Sequence, residues 1–229
     1  MLSISQSPAS GWMSLIDPDM TAMETVRSLV GRRGFWNMPA YQDAMGQLRL
    51  EELTQADVDF LTNFYATSTD LSDRNCILCA LVLRGSAFDL KSFFLAAFKR
   101  ERYLDMRLTA LRGYAAYATE AEVEPLMAKL MQLLARIPQR APLDSDECEH
   151  FRSPFGLPYL VEHYGYDCFK TALCQVEAQY DAIPGSAKGH FTVDEYGFAI
   201  ALPKPEGYDA RAALDNALAA QAKRLSHGE

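Results

Sequence analysis

Apolar positions recur at three- and four-residue steps through most of this chain. Met20, Met23, Val26, Leu29 and Val30 form one such stripe, and Val58, Leu61, Phe64 and Tyr65 form another. A period near 3.6 predicts amphipathic helices, and it dominates from about residue 18 to residue 181. Asp17-Pro18 reads as an N-cap followed by proline at the first helical position, and Gly31 closes that segment. Thr54 and Asp57 have the spacing of a capping box ahead of the second stripe. Further helices are expected near 70–84, 89–100, 104–118, 120–136, 157–164 and 166–182. Their short connections suit antiparallel neighbours.

The period changes near the end. Phe191 and Val193 alternate, as do Phe198, Ile200 and Leu202, on either side of "DEYG", where Gly197 is placed for a positive φ. This predicts a β-hairpin, which needs the helical body to lean on. A last helix is expected after an Asp209 N-cap, with Leu214, Leu218 and Leu225 on one stripe. The fold class is therefore mainly α: an array of antiparallel helical hairpins, either a HEAT-like α-solenoid or an irregular bundle. A C-terminal β-hairpin and a terminal helix complete it. Residues 1–16 are expected to be flexible, 17–183 to form the array, and 184–229 to pack on it within one domain.

Composition narrows the function classes. With 229 residues, 49% of them apolar and 23% charged, the chain is long and apolar enough to bury a core. Its net charge of −8 disfavours nucleic acid, whose affinity comes mainly from Lys and Arg on phosphates. The start has no basic segment followed by an apolar run, and no stretch approaches a membrane span. Cys76, Cys79, Cys148, Cys168 and Cys174 read mostly as small buried hydrophobes, so a cytoplasmic location is expected.

No catalytic residue, cofactor or metal site is expected. Cys148 and His150 lack the paired spacings of zinc sites, and the Cys76–Cys79 pair lies within an apolar helix stripe. "PGSAKGH" lacks phosphate-loop spacing and precedes a hairpin rather than a helix. In "GRRGFWNMP", Arg32 and Arg33 could reach phosphates while Phe35 or Trp36 stacks on a base, but those rings could equally plug a gap between helices.

The most distinctive stretch is "DSDECEHFRSPFGLPYLVEHYGY". Asp144, Asp146, Glu147 and Glu149 concentrate negative charge beside the aromatic residues Phe151, Phe155 and Tyr159. One reading is a solvated loop entering a helix, with acids favouring the helix dipole. The other is a docking surface on which carboxylates steer a partner and Phe155 and Tyr159 anchor it.

Two segments also resemble a known repeat. "LSDRNCILCALVLRG" from Leu71 is followed by "LDMRLTALRGYAAYA" from Leu104, and Leu71/Asp73/Arg74 correspond to Leu104/Asp105/Arg107. The pattern of Asp105, Arg107, Ala110 and Leu111 resembles the second helix of a HEAT-type repeat. That resemblance implies stacked hairpins in which the Asp caps the helix and the Arg bonds to a neighbouring repeat. The small size and acidity are similar to immunity proteins of bacterial toxin–immunity pairs. This implies a basic toxin domain as protein partner, bound and occluded, with no nucleic acid, membrane or enzymatic activity. The alternatives are an assembly scaffold or an enzyme of the HEAT-like DNA glycosylase type, for which Arg32, Arg33, Lys99, Arg100 and Arg102 would have to gather on one face.

Overall fold

The structure, a computed structural model, describes residues 19–140 and 145–203 together with positions 211–212, 215 and 218–219. Asp17, Pro18, Asp144, Asp209 and the 1–16 segment lie outside the described residues. The chain is mainly helical with one small antiparallel sheet near its C-terminus. It divides into two compact units, 1–77 and 78–229.

The N-terminal unit contains α1 (Ala22–Leu29), α2 (Pro39–Gln47), α3 (Gln55–Thr67) and the start of α4 (Leu71–Val82). Thr21, rather than Asp17, caps α1. Its hydroxyl accepts from the Glu24 N–H, and the Glu24 carboxylate accepts from the Thr21 N–H. The same reciprocal box forms between Thr54 and Asp57 at the head of α3, as its spacing predicts. Helix α2 was not anticipated. It opens on Pro39 and buries Tyr41, Ala44, Met45 and, just past its end, Leu48. In the preceding loop Phe35 meets Tyr41 edge-on at 4.9 Å, whereas Trp36 stays 51% exposed. Phe35 therefore plugs the loop against α2.

The C-terminal unit continues with α5 (Lys91–Arg100), α6 (Leu104–Ala115), α7 (Glu120–Leu134), α8 (Ile137–Arg140), α9 (Asp146–Arg152), α10 (Leu157–Tyr164) and α11 (Asp167–Asp181). Helix α6 is its axis: every residue from Leu108 to Ala115 is buried, and it packs on α5, α7, α9 and α10. Small side chains permit that burial. A Cβ on Gly113 would lie 2.4 Å from carbons of the Phe94 ring.

The two helices that resemble one another, α4 and α6, each span 12 residues. Their Asp and Arg positions behave differently from the repeat pattern. Asp105 does not cap α6, whose N-cap is Tyr103 without a side-chain bond. Arg107 Nε donates at 2.6 Å to the carbonyl of Glu101, within its own α5–α6 turn. In α4 it is Asp70 that accepts from the Asp73 N–H, while Asp73 is buried and accepts from Tyr41 and Ser68.

The predicted hairpin forms from β1 (Phe191–Val193) and β2 (Ala199–Ala201), with Thr192 opposite Ile200. Gly197 takes φ +83, and Asp194 Oδ1 accepts from the N–H groups of Tyr196 and Phe198 to close the turn. β1 packs on α9, whereas β2 is exposed throughout. Among the described residues no helix is long and apolar enough to cross a membrane.

Candidate docking surface

Asp146–Arg152 forms α9, and its first turn carries Asp146, Glu147 and Glu149, where acids complement the helix dipole. Ser153 ends the helix, its hydroxyl donating to the His150 carbonyl at 2.7 Å. The chain then doubles back so tightly at Gly156 that a Cβ there would lie 2.5 Å from the carbonyl oxygens of both His150 and Phe151. Pro158 follows in the first turn of α10, where its missing N–H costs nothing.

The predicted site residues separate into two sets. Asp146 is exposed, whereas Glu147 is half-buried with Oε2 closed to solvent, so the first turn of α9 presents negative charge chiefly at Asp146. Tyr159 is half-buried on α10. Glu149 and Phe155, expected at the surface, are buried instead. For Glu149 the reason is a set of donors that only the fold assembles: its Oε1 accepts from the Tyr180 hydroxyl at 2.9 Å and from the Gly189 N–H. Arg152 stands 3.9 Å from its other oxygen and bonds Glu177 at 2.8 Å. The Arg152 guanidinium also lies 3.7 Å from the Tyr180 ring centre. Burial, then the bond to Glu149, pushes the Tyr180 phenol up to about 12. This network joins α9 to α11 and to the segment that leads into the hairpin.

Phe155 is covered for a different reason. Arg112 projects from the buried face of α6 and donates to the Phe155 carbonyl at 2.8 Å. Its guanidinium lies 4.2 Å from the Phe155 ring centre and 3.5 Å from that of Tyr159. Tyr159 also stacks on His163 at 3.7 Å, so this side chain belongs to an Arg–Tyr–His pile as well as to the surface. Burial lowers the Arg112 pKa, opposed by the charge and hydrogen bond of Tyr159. On α9, His150 meets Phe191 of β1 edge-on at 5.0 Å. Burial holds its pKa down against Asp105, Asp146 and Glu149.

Sequence reasoning passed over Arg112, Tyr180 and His163. A signal existed for the first, because Arg112 is the one charged residue in the otherwise apolar and small-residue run from Leu108 to Ala118. Exposed Glu162 and His163 extend the surface along α10. Of the basic candidates, Lys99, Arg100 and Arg102 are all exposed near the α5–α6 turn, while Arg32 and Arg33 are exposed in the N-terminal unit.

Among the described residues no three His, Cys, Asp or Glu side chains converge to hold a metal; Cys79 and Cys148 are buried, Cys76 and Cys168 half-buried and Cys174 exposed. An open groove beside α1 and α2, lined in part by Met20, Asp43, Leu50 and Glu51, uses the Glu51 carboxylate to accept the Ala22 and Met23 N–H groups at the head of α1. No known family model matches this chain, and no curated protein or solved structure matches it significantly.

Proposed function

We propose that this protein is a binding module of the immunity type, which docks on a basic toxin domain and occludes it. The observation that carries the reading is the buried anchorage of α9. Glu149, Tyr180, Arg152 and Gly189 hold the helix in one place, so the acidic turn before them reaches a partner already ordered. A surface fixed before encounter loses less entropy on binding. On this reading Asp146 and Glu147 steer a basic partner, Tyr159 contributes aromatic contact at the edge, and Glu149 and Phe155 act from beneath. Asp144 belongs to the same acidic sequence run. A HEAT-like relation between α4 and α6 is part of the proposal and rests on their matched lengths and their sequence likeness.

Coexpression with a toxin encoded beside this chain tests the class, since an immunity protein rescues growth. Stopped-flow association with that toxin tests the surface. Replacing Asp146 and Glu147 by Ser should slow association and flatten its salt dependence, leaving dissociation nearly unchanged. An unaltered association rate would remove steering by α9.

A second reading draws on Lys99, Arg100 and Arg102 with the 56% exposed Tyr103, a basic and aromatic turn suited to nucleic acid. A gel shift at low salt supports it, and the absence of any shift removes it.

A further inference from the structure

Among the described residues nothing pairs with the outer edge of the hairpin. All three residues of β2 are exposed, as are Leu202 and Pro203 after it. Ile200 retains 47% and Leu202 37% exposure, although both are apolar. The hydrogen-bond phase shows which backbone groups face outward. Leu202 N–H donates to the His190 carbonyl and Asp194 N–H to the Phe198 carbonyl, each at 3.0 Å. Bonded pairs alternate along an antiparallel ladder. With Thr192 opposite Ile200, the inward groups of β2 belong to Ile200, and those of Ala199 and Ala201 point away from β1.

We propose that this edge pairs with β2 of a second copy of the chain, antiparallel, about a two-fold axis at Ile200. Ala199-Ile200-Ala201 reads the same in both directions. The axis therefore sets Ala199 of each copy opposite Ala201 of the other, and their outward N–H and C=O groups exchange four hydrogen bonds. Ile200 meets Ile200 in the closer, non-bonded kind of pair, which brings two exposed apolar side chains together. Charge favours this occupant. Each molecule carries −8, yet no ionisable side chain lies between Phe198 and Pro203, so two copies approach where neither is charged. Pro203 occupies the next outward position and has no N–H, which confines the pairing to the two alanines. The two-fold uses the same edge on both copies, so the pairing closes as a dimer. The paired strand is 3 residues long on each copy, small beside the roughly 1,200 Å² of a stable interface, so the association is weak.

Sedimentation equilibrium on the full chain, from micromolar to millimolar concentration, tests this. The wild type should dimerise with concentration, and more readily as salt screens the remaining charge. Ala201→Pro deletes an outward N–H while leaving the hairpin bonds of Ile200 and Leu202, and should weaken dimerisation at least tenfold with an unchanged melting temperature. Ile200→Lys should do the same by placing like charges on the axis, and it serves if the proline variant unfolds. A wild type that stays monomeric at millimolar concentration overturns the proposal, as do variants that dimerise normally. Amide exchange separates the rival occupants. Protection of Ala199 and Ala201 that rises with concentration supports self-pairing. Protection in the dilute monomer places the chain's own C-terminal stretch on the edge, and protection only with a different protein places a foreign strand there; either result overturns the dimer.

Discussion

Two tyrosines in this protein each donate to a buried carboxylate, and the two pairs have opposite electrostatic company. In the C-terminal unit, Tyr180 donates to Glu149 at 2.9 Å, beside Arg152 and a backbone N–H from Gly189. In the N-terminal unit, Tyr41 donates to Asp73 at 2.8 Å, with a second bond from Ser68 at 3.2 Å. Burial pushes the Asp73 pKa up and the like charge of Asp70 adds to it, against the bonds from Tyr41 and Ser68 and the attraction of Arg74. The same donor and acceptor chemistry thus has two consequences. Glu149, with a guanidinium nearby, is a joint between elements. Asp73, with a like charge nearby, bears a cost whenever it is ionised.

The joint gives the largest expected effect. Glu149→Ala strands the Tyr180 hydroxyl, the Gly189 N–H and part of the Arg152 charge, and should destabilise the fold by about 3–5 kcal/mol in urea unfolding. Glu149→Gln should cost much less, because an amide oxygen at Oε1 keeps both donors. Equal losses for the two variants would show that charge, not the bonds, carries the joint. Gly156→Ala attacks the same assembly from the turn between α9 and α10. Its new Cβ has two backbone oxygens at 2.5 Å, which cannot rotate aside, so a loss of about 1–3 kcal/mol is expected. Wild-type stability for this variant would mean that the turn relaxes without effort.

Which of these features the sequence made legible follows from the range of the interactions involved. The Thr54–Asp57 box and the Gly197 turn close within a few residues, and both were readable from spacing alone. Helix α2 was not, because it lies in a stretch of Ala, Gly, Gln and Asp whose buried face shows only once Tyr41 and Leu48 are placed. Helix α9 is seven residues long, too short for a periodic stripe, and its acids read as a solvated loop entering a helix. The inward turn of Glu149 depends on Tyr180, 31 residues away, and that of Phe155 on Arg112, 43 residues away. Spacing showed which residues carry charge but not which way they face. The repeat likeness misled in a related way: Arg107 serves the local Glu101 carbonyl instead of a neighbouring hairpin. Arg107→Ala should therefore cost only about 1 kcal/mol, the value of one half-exposed bond. A loss near 3 kcal/mol would point to a further partner on an adjacent hairpin.

The smallest effect isolates the other member of the comparison. A carboxylate whose folded pKa lies above its unfolded value binds more protons in the native state. Its stabilising contribution is complete below the unfolded value of about 3.8 and is lost as pH rises through the folded one. At neutral pH Asp73 is therefore a liability that its two donors only partly offset. Asp73→Asn removes the charge and keeps an oxygen for Tyr41, while its new N–H can donate to Ser68, whose hydroxyl also accepts from the Asp70 N–H. The substitution should change stability by no more than about 1 kcal/mol at pH 7. The decisive quantity is the difference between variant and wild type at two pH values. Unfolding at pH 4 and pH 7 should show Asn gaining on Asp as pH rises. A gain that runs the other way would mean that ionised Asp73 is stabilised in the fold.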